Sequence, residues 1–203
     1  MRLLAAAGLV IAAALPLAAR ADEPKPADLP LKAKLVAKKD TYKLDLDGKS
    51  GEEFRKVLKD AEKSGKAPMP PAVDLVLEIT NTSDQEVKFW VEGDANELQL
   101  DAKGPNAVTI TPQKAFTADF RMPKVITLAP GKTHSIPITA LQYGFRGTSK
   151  YTYWTEPGEY TLTASYKTAI SPAPKGSKEA DKGFGIVVLM TTEPIKVKVE
   201  TPK

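Results

Sequence analysis

What most constrains this chain is a two-residue alternation of apolar and polar side chains, which recurs beyond a proline cluster at 68–71. Val73, Leu75, Leu77 and Ile79 alternate with largely polar neighbours, and so do Val87, Phe89 and Val91. Tyr160, Leu162, Ala164 and Tyr166 repeat the pattern, as do Ile195, Val197 and Val199. Successive side chains of a strand point to opposite faces, so this period belongs to strands with one face in a core and the other in water. Further strands are expected at 97–101, 107–111, 124–128, 133–140 and 184–190. Turn signals separate them: Asn81-Thr82-Ser83-Asp84, Gly104-Pro105-Asn106, Ala129-Pro130-Gly131 and Glu156-Pro157-Gly158. Short strands at this spacing predict a mainly β protein, an antiparallel sandwich over residues 72–203.

The stretch before the prolines reads differently. Two short strands are expected, at 31–37 and 42–46, followed by the one helix. Ser50 and Glu53 have the spacing of a capping box, in which each side chain satisfies the other residue's free backbone N–H. Phe54, Val57, Leu58 and Ala61 fall on one stripe, Glu52 and Lys56 stand four apart on the polar side, and Gly65 is a natural stop. An amphipathic helix over 50–64 is expected, carried by an N-terminal extension at 31–71. Residues 22–30 form a proline-rich, charged tail expected to be flexible.

Residues 1–21 have the form of a signal peptide. Arg2 is the basic start, residues 3–19 are an apolar run rich in alanine, and Ala19-Arg20-Ala21 offers small residues at a cleavage site. Cleavage before Asp22 leaves no stable membrane span, and the address expected is periplasmic or secreted. The chain has no cysteine, so its exported form relies on its core and not on disulfides. That absence also excludes thiolate metal sites, iron–sulfur clusters and cysteine nucleophiles. Loss of Arg2 and Arg20 halves the formal charge of +4, and the remaining charges are interleaved, which argues against a nucleic-acid partner.

From Val73 onward the order of signatures is that of a known class. A strand ends in Ile79-Thr80-Asn81-Thr82-Ser83, and an aromatic-bearing strand follows at 87–91. Leu128-Ala129-Pro130-Gly131-Lys132 comes next, and Trp154 precedes Pro157-Gly158-Glu159-Tyr160-Thr161-Leu162-Thr163-Ala164. This resembles bacterial extracytoplasmic immunoglobulin-like and fibronectin-type sandwich domains, and is similar in particular to BsuPI-type proteinase-inhibitor domains. The resemblance covers roughly residues 73–200 and implies an immunoglobulin-like fold with proteinase inhibition as one function. The chain departs from that pattern over 112–123 and 140–155, so no inhibitory residue is carried over. Tyr160, two residues after Gly158, stands where such sandwiches place a tyrosine corner.

Chemistry-bearing motifs are few. His134 is the sole histidine and adjoins Ser135, but neighbours in a strand face opposite ways, so the pair does not form a nucleophile and base. It is expected to be an exposed strand residue. Asp45, Asp47 and Glu52 suggest a loose calcium site, yet an EF-hand loop begun at Asp45 would have Ser50 where glycine belongs and Lys56 where glutamate belongs. A strand-to-helix turn is the plainer reading. Gly48-Lys49-Ser50 lacks the earlier glycine of a phosphate loop, since Lys43 stands there. No catalytic residue, cofactor or metal ligand set is expected.

The segment 141–157 is the most unusual. Tyr143, Phe145, Arg146, Tyr151, Tyr153 and Trp154 crowd together with Gly144, Gly147 and Lys150. Rigid aromatics with arginine between glycines suit a binding surface, and these six residues are its candidates. Alternatively they fill the sandwich end or pack under the helix. The function expected is a non-enzymatic binding or structural module that recognises a protein or cell-envelope component through exposed loops or a sheet edge. Proteinase inhibition and carbohydrate binding or carbohydrate-directed activity are the alternatives.

Overall fold

The computed structural model describes residues 29–94, 96–112, 119–144, 149–174 and 186–201. The expected signal peptide at 1–21 and the tail up to residue 28 lie outside the described residues. Leu31, Ala33 and Leu35 are buried on one face of β1 (Leu31–Ala37), and Val73, Leu75, Leu77, Ile79 and Asn81 on one face of β3 (Ala72–Asn81). The two strands are antiparallel, with Leu31 opposite Asn81 and Ala37 opposite Leu75. β8 (Thr133–Ala140) pairs with the other edge of β3 and completes a first sheet in the order β1-β3-β8.

The second sheet is built on β11 (Gly158–Ser171), whose 14 residues are long enough to pair with two strands along each edge. β13 (Ile195–Glu200) and β12 (Ile186–Thr191) share one edge, and β5 (Glu97–Lys103) and β4 (Val87–Val91) share the other. β7 (Lys124–Leu128) pairs with β4 beyond, while β2 (Thr41–Lys43) lies parallel to β13. A small third sheet, β6 (Val108–Ile110), β10 (Lys150–Tyr153) and β9 (Gln142–Tyr143), closes one end. The buried side chains of these sheets and of the helix form one apolar cluster. Among the described residues the fold is mainly β, a sandwich of largely antiparallel sheets with one helix.

The helix α1 (Gly51–Ser64) forms for the reasons its sequence shows. The Ser50 hydroxyl accepts from the Glu53 N–H at 3.3 Å, the Glu53 carboxylate accepts from the Ser50 N–H at 2.9 Å, and Gly65 closes the last turn. Phe54, Leu58 and Ala61 are buried, and Val57 is half-buried. Beyond the helix, however, 31–71 is no extension. β1 is an edge of the first sheet and β2 joins the second, so the sandwich begins at residue 31 and the boundary expected at 71/72 falls within one folded unit. Regular pairing also ends at Lys43, although Leu44 and Leu46 continue the expected alternation as buried residues.

Candidate functional site

Of the six aromatic-segment candidates, Tyr151, Tyr153 and Trp154 are core, as the alternative reading of the sequence has it. Tyr151, Tyr153 and Trp154 are 4%, 1% and 3% exposed, which corrects their placement on an open binding face. Adjacent strand residues cannot share a face, but β10 ends at Tyr153. Tyr153 meets Phe54 of the helix edge-on at 5.9 Å, while Trp154, past the strand end, packs on Tyr42 at 5.3 Å and Tyr160 at 5.6 Å. Each ring thus finds its own apolar wall. Tyr143 is half-buried against the same cluster. Phe145 and Arg146 lie outside the described residues.

This end of the sandwich is tied down by polar bonds as well. The Tyr160 hydroxyl reaches the carbonyls of Pro105 at 2.6 Å and Glu156 at 2.7 Å, the backward bond of a tyrosine corner. Burial pushes the phenols of Tyr160, Tyr153 and Tyr166 up from their ordinary value, further from ionisation. Arg55 joins the helix to the corner through Thr155 and Glu156, each at 3.0 Å.

A cleft of about 560 Å³ opens beside these rings. Its floor includes Tyr42 and Trp154, and its wall is the proline strap at 68–71. The Tyr153 hydroxyl donates to the Pro68 carbonyl at 2.7 Å, which fixes the strap and leaves Met69 projecting, 84% exposed. Lys39 sits 5.3 Å from the centre of the Tyr42 ring at the rim. Tyr42 and Trp154 are 5% and 3% exposed, so the cleft leaves little of either ring open.

The opposite arrangement holds where β7 and β8 face solvent. Among the described residues β7 pairs with β4 alone and β8 with β3 alone, so both sheets end on this side. Phe120, Met122 and Val125 are 61%, 73% and 51% exposed here. Their segment is anchored to the β4–β5 turn: the Asp94 N–H donates to the Arg121 carbonyl at 3.0 Å, and the Arg121 N–H to the Asp94 carboxylate at 2.9 Å. Gly93, with φ of 66°, is needed there twice over, since a β-carbon would also stand 2.6 Å from the Pro123 nitrogen. Lys124 pairs with Glu92 at 2.8 Å. None of the three apolar residues was singled out from the sequence. Phe120 and Met122 carry a two-residue spacing that was readable, but 112–123 matched no strand pattern.

Between the two sheet ends lies a crevice of about 430 Å³. His134 and Ile136 of β8 form one wall, half-buried, and Val91, Leu98 and Tyr166 of the second sheet form the floor. His134 therefore faces inward, edge-on to Phe89 at 5.7 Å, instead of standing exposed. No group of three or more metal-ligating side chains occurs among the described residues, and no helix there is long and apolar enough to cross a membrane. The Asp45 carboxylate accepts from the Asp47 N–H at 3.1 Å, as a turn residue does.

No family model matches the chain, and no curated protein matches it in sequence. Among the solved structures that match the chain are two at low identity and low TM-score. One is native alpha-2-macroglobulin from Escherichia coli, spanning domain MG7 to the C-terminus, at 15% identity and a TM-score of 0.36. That match covers 85% of this chain but only 17% of the length of the macroglobulin chain. The other is the ASH/PapD-like domain 7 of human CEP192, at 10% identity and a TM-score of 0.25, covering 93% of this chain and 97% of that one.

Proposed function

We propose that this protein is an exported, non-enzymatic binding module that takes an extended segment of a protein of the cell envelope along the outer edge of β7. One observation carries the reading. β7 has no partner on its outer edge among the described residues, and Phe120, Met122 and Val125 stand exposed beside it. A free edge offers a row of unpaired N–H and C=O groups, and exposed apolar side chains beside it supply pockets and contact area. The signal-peptide pattern at 1–21 and the resemblance to bacterial extracytoplasmic domains support the exported address. Carbohydrate recognition loses its platform, because Trp154 presents no open ring face.

The test is a photo-crosslinking amino acid at position 122 of the chain beginning at Asp22, mixed with an envelope fraction. A discrete adduct that disappears on Val125→Lys supports the edge, with a probe at exposed Val187 as the control expected to give none. Equal labelling from both positions, or none from either, overturns it.

Proteinase inhibition has one specific observation in its favour. Met69 projects from a strap made stiff by Pro68, Pro70 and the Tyr153 bond, and a preorganised loop binds with a smaller ordering cost. Met69→Asp is then expected to abolish inhibition of a proteinase that prefers apolar residues, while leaving the β7 cross-link intact.

A further inference from the structure

We infer that the segment bound along β7 carries a glutamate two residues from an apolar side chain, and that Lys88 of β4 selects the glutamate. The inference rests on the proposed β7 reading and names the chemistry of its guest. Val87, Phe89 and Val91 of β4 are buried, so Lys88 and Trp90 stand on the outer face of the second sheet. Lys88 is opposite Thr127 and Trp90 is opposite Val125, which puts Thr127 and Val125 on that face as well. A strand paired with the outer edge of β7 therefore presents two side chains to this face, two residues apart. One stands beside Val125 and the other beside Thr127, whichever way the guest runs.

The two rows differ in kind. Trp90 is half-buried and Val125 is 51% exposed, so the first is an apolar row that ends uncovered at the edge, and an apolar guest side chain extends it. The second row runs from Ser171 of β11 through Lys88 to Thr127. Its lysine is exposed between two short hydroxyl side chains. Among the described residues it makes no ion pair, not even with Glu86 two residues away. Two strand spacings put the guest residue beside Thr127 roughly 10 Å from Lys88. A lysine laid across Thr127 and a carboxylate reaching back close that gap, and glutamate, longer than aspartate by one methylene, closes it better. A cationic guest residue meets like charge there, so the row rejects as well as selects. A second copy of β7, Lys-Val-Ile-Thr-Leu, has no carboxylate to offer.

The experiment titrates the chain beginning at Asp22 with the labelled peptide Thr-Val-Thr-Glu-Thr-Val-Thr, which sets valine two residues from glutamate in both directions. The same peptide with glutamine at its centre is the comparison, and fluorescence anisotropy at low salt gives both affinities. The glutamate peptide is expected to bind about three- to fivefold more tightly, the scale of one exposed ion pair, and the preference should fade as salt is raised. Lys88→Gln should make the two affinities equal by weakening the glutamate peptide alone. Thr127→Glu, which offers Lys88 a carboxylate from β7 itself, should reverse the preference. Both positions are exposed, so neither variant empties a core position. If both peptides bind wild type equally, or the preference survives Lys88→Gln, the inference is overturned while the β7 edge stands. Binding of neither peptide also overturns it, and the cross-link at position 122 then decides whether the edge reading falls with it.

Discussion

Gly104 lies flat against the ring of Tyr160, so closely that a β-carbon at position 104 would overlap the ring atoms. The hydroxyl at the far end of that ring holds the carbonyls of Pro105 and Glu156. The loop after β5 and the corner before β11 are thereby fitted to one side chain. Gly104→Ala is expected to cost about 1–3 kcal/mol through overpacking, and Tyr160→Phe about 1–2 kcal/mol through the lost bond. Both numbers are read from urea unfolding. Because the two residues touch, Gly104→Ala combined with Tyr160→Leu should cost less than the sum of the single changes.

Asn81 joins two turns at the other end of the sandwich and is fully buried. Its Nδ2 donates to the carbonyls of Gln85 at 2.7 Å and Leu128 at 2.8 Å, and its Oδ1 accepts from the N–H and the hydroxyl of Ser83. Asn81→Asp would place a carboxylate oxygen against both carbonyls, away from water. The expected loss at pH 7 is about 3–5 kcal/mol. In the folded variant the new carboxyl would titrate above its unfolded value, so stability is greatest at low pH and falls as pH rises through the folded pKa. Denaturant melts at pH 4 and pH 7 check the sign: a variant no weaker at pH 7 than at pH 4 would contradict it.

Such local devices were legible in the sequence because each is decided within a few residues. The Asn81-Thr82-Ser83 turn, the Ser50/Glu53 box and the strands on either side of Pro130-Gly131 need only their own neighbours. The burial of Trp154 was left open between core and surface, since one of its walls, Tyr42, lies far away along the chain. Pairing of β2 with β13 is equally remote, which is why 31–71 reads as an extension when taken alone. The open side was hidden for another reason. An unpaired edge is a property of sheet order, and the side chains of β7 look like those of any strand.

The capping box gives an acid-dependent prediction. Bonds from the Ser50 backbone N–H and hydroxyl hold the Glu53 carboxyl below its ordinary range. A lowered folded pKa stabilises above the unfolded value, and that contribution disappears as pH falls through the folded one. Ser50→Ala should cost about 1 kcal/mol at pH 7. The difference between wild type and variant should shrink in acid, as urea melts at pH 7 and pH 3 would record.

Trp154→Ala separates core from site directly. A ring 3% exposed between two other aromatics should cost about 3–5 kcal/mol on removal. Phe120→Ser, at 61% exposure, should stay within about 0.5 kcal/mol. A thermal scan that found the two variants alike would put Trp154 back on the surface.

Among the described residues, β7 and β8, the two edges on the open side, differ in a way that predicts which one binds. β8 contains Pro137, which has no N–H to offer an incoming strand, and proline is a common guard of exposed edges. β7 runs Lys-Val-Ile-Thr-Leu with no proline, and its single charge is already paired with Glu92. Val125→Lys adds the charge such an edge otherwise lacks. Val125 is 51% exposed and its replacement empties no core position, so the melting transition should move little. Concentration-dependent self-association, followed by light scattering, should fall, because an unguarded apolar edge also pairs with copies of itself. If instead Ser135→Lys on β8 lowers scattering and Val125→Lys does not, the binding edge is β8, and the proline there guards nothing.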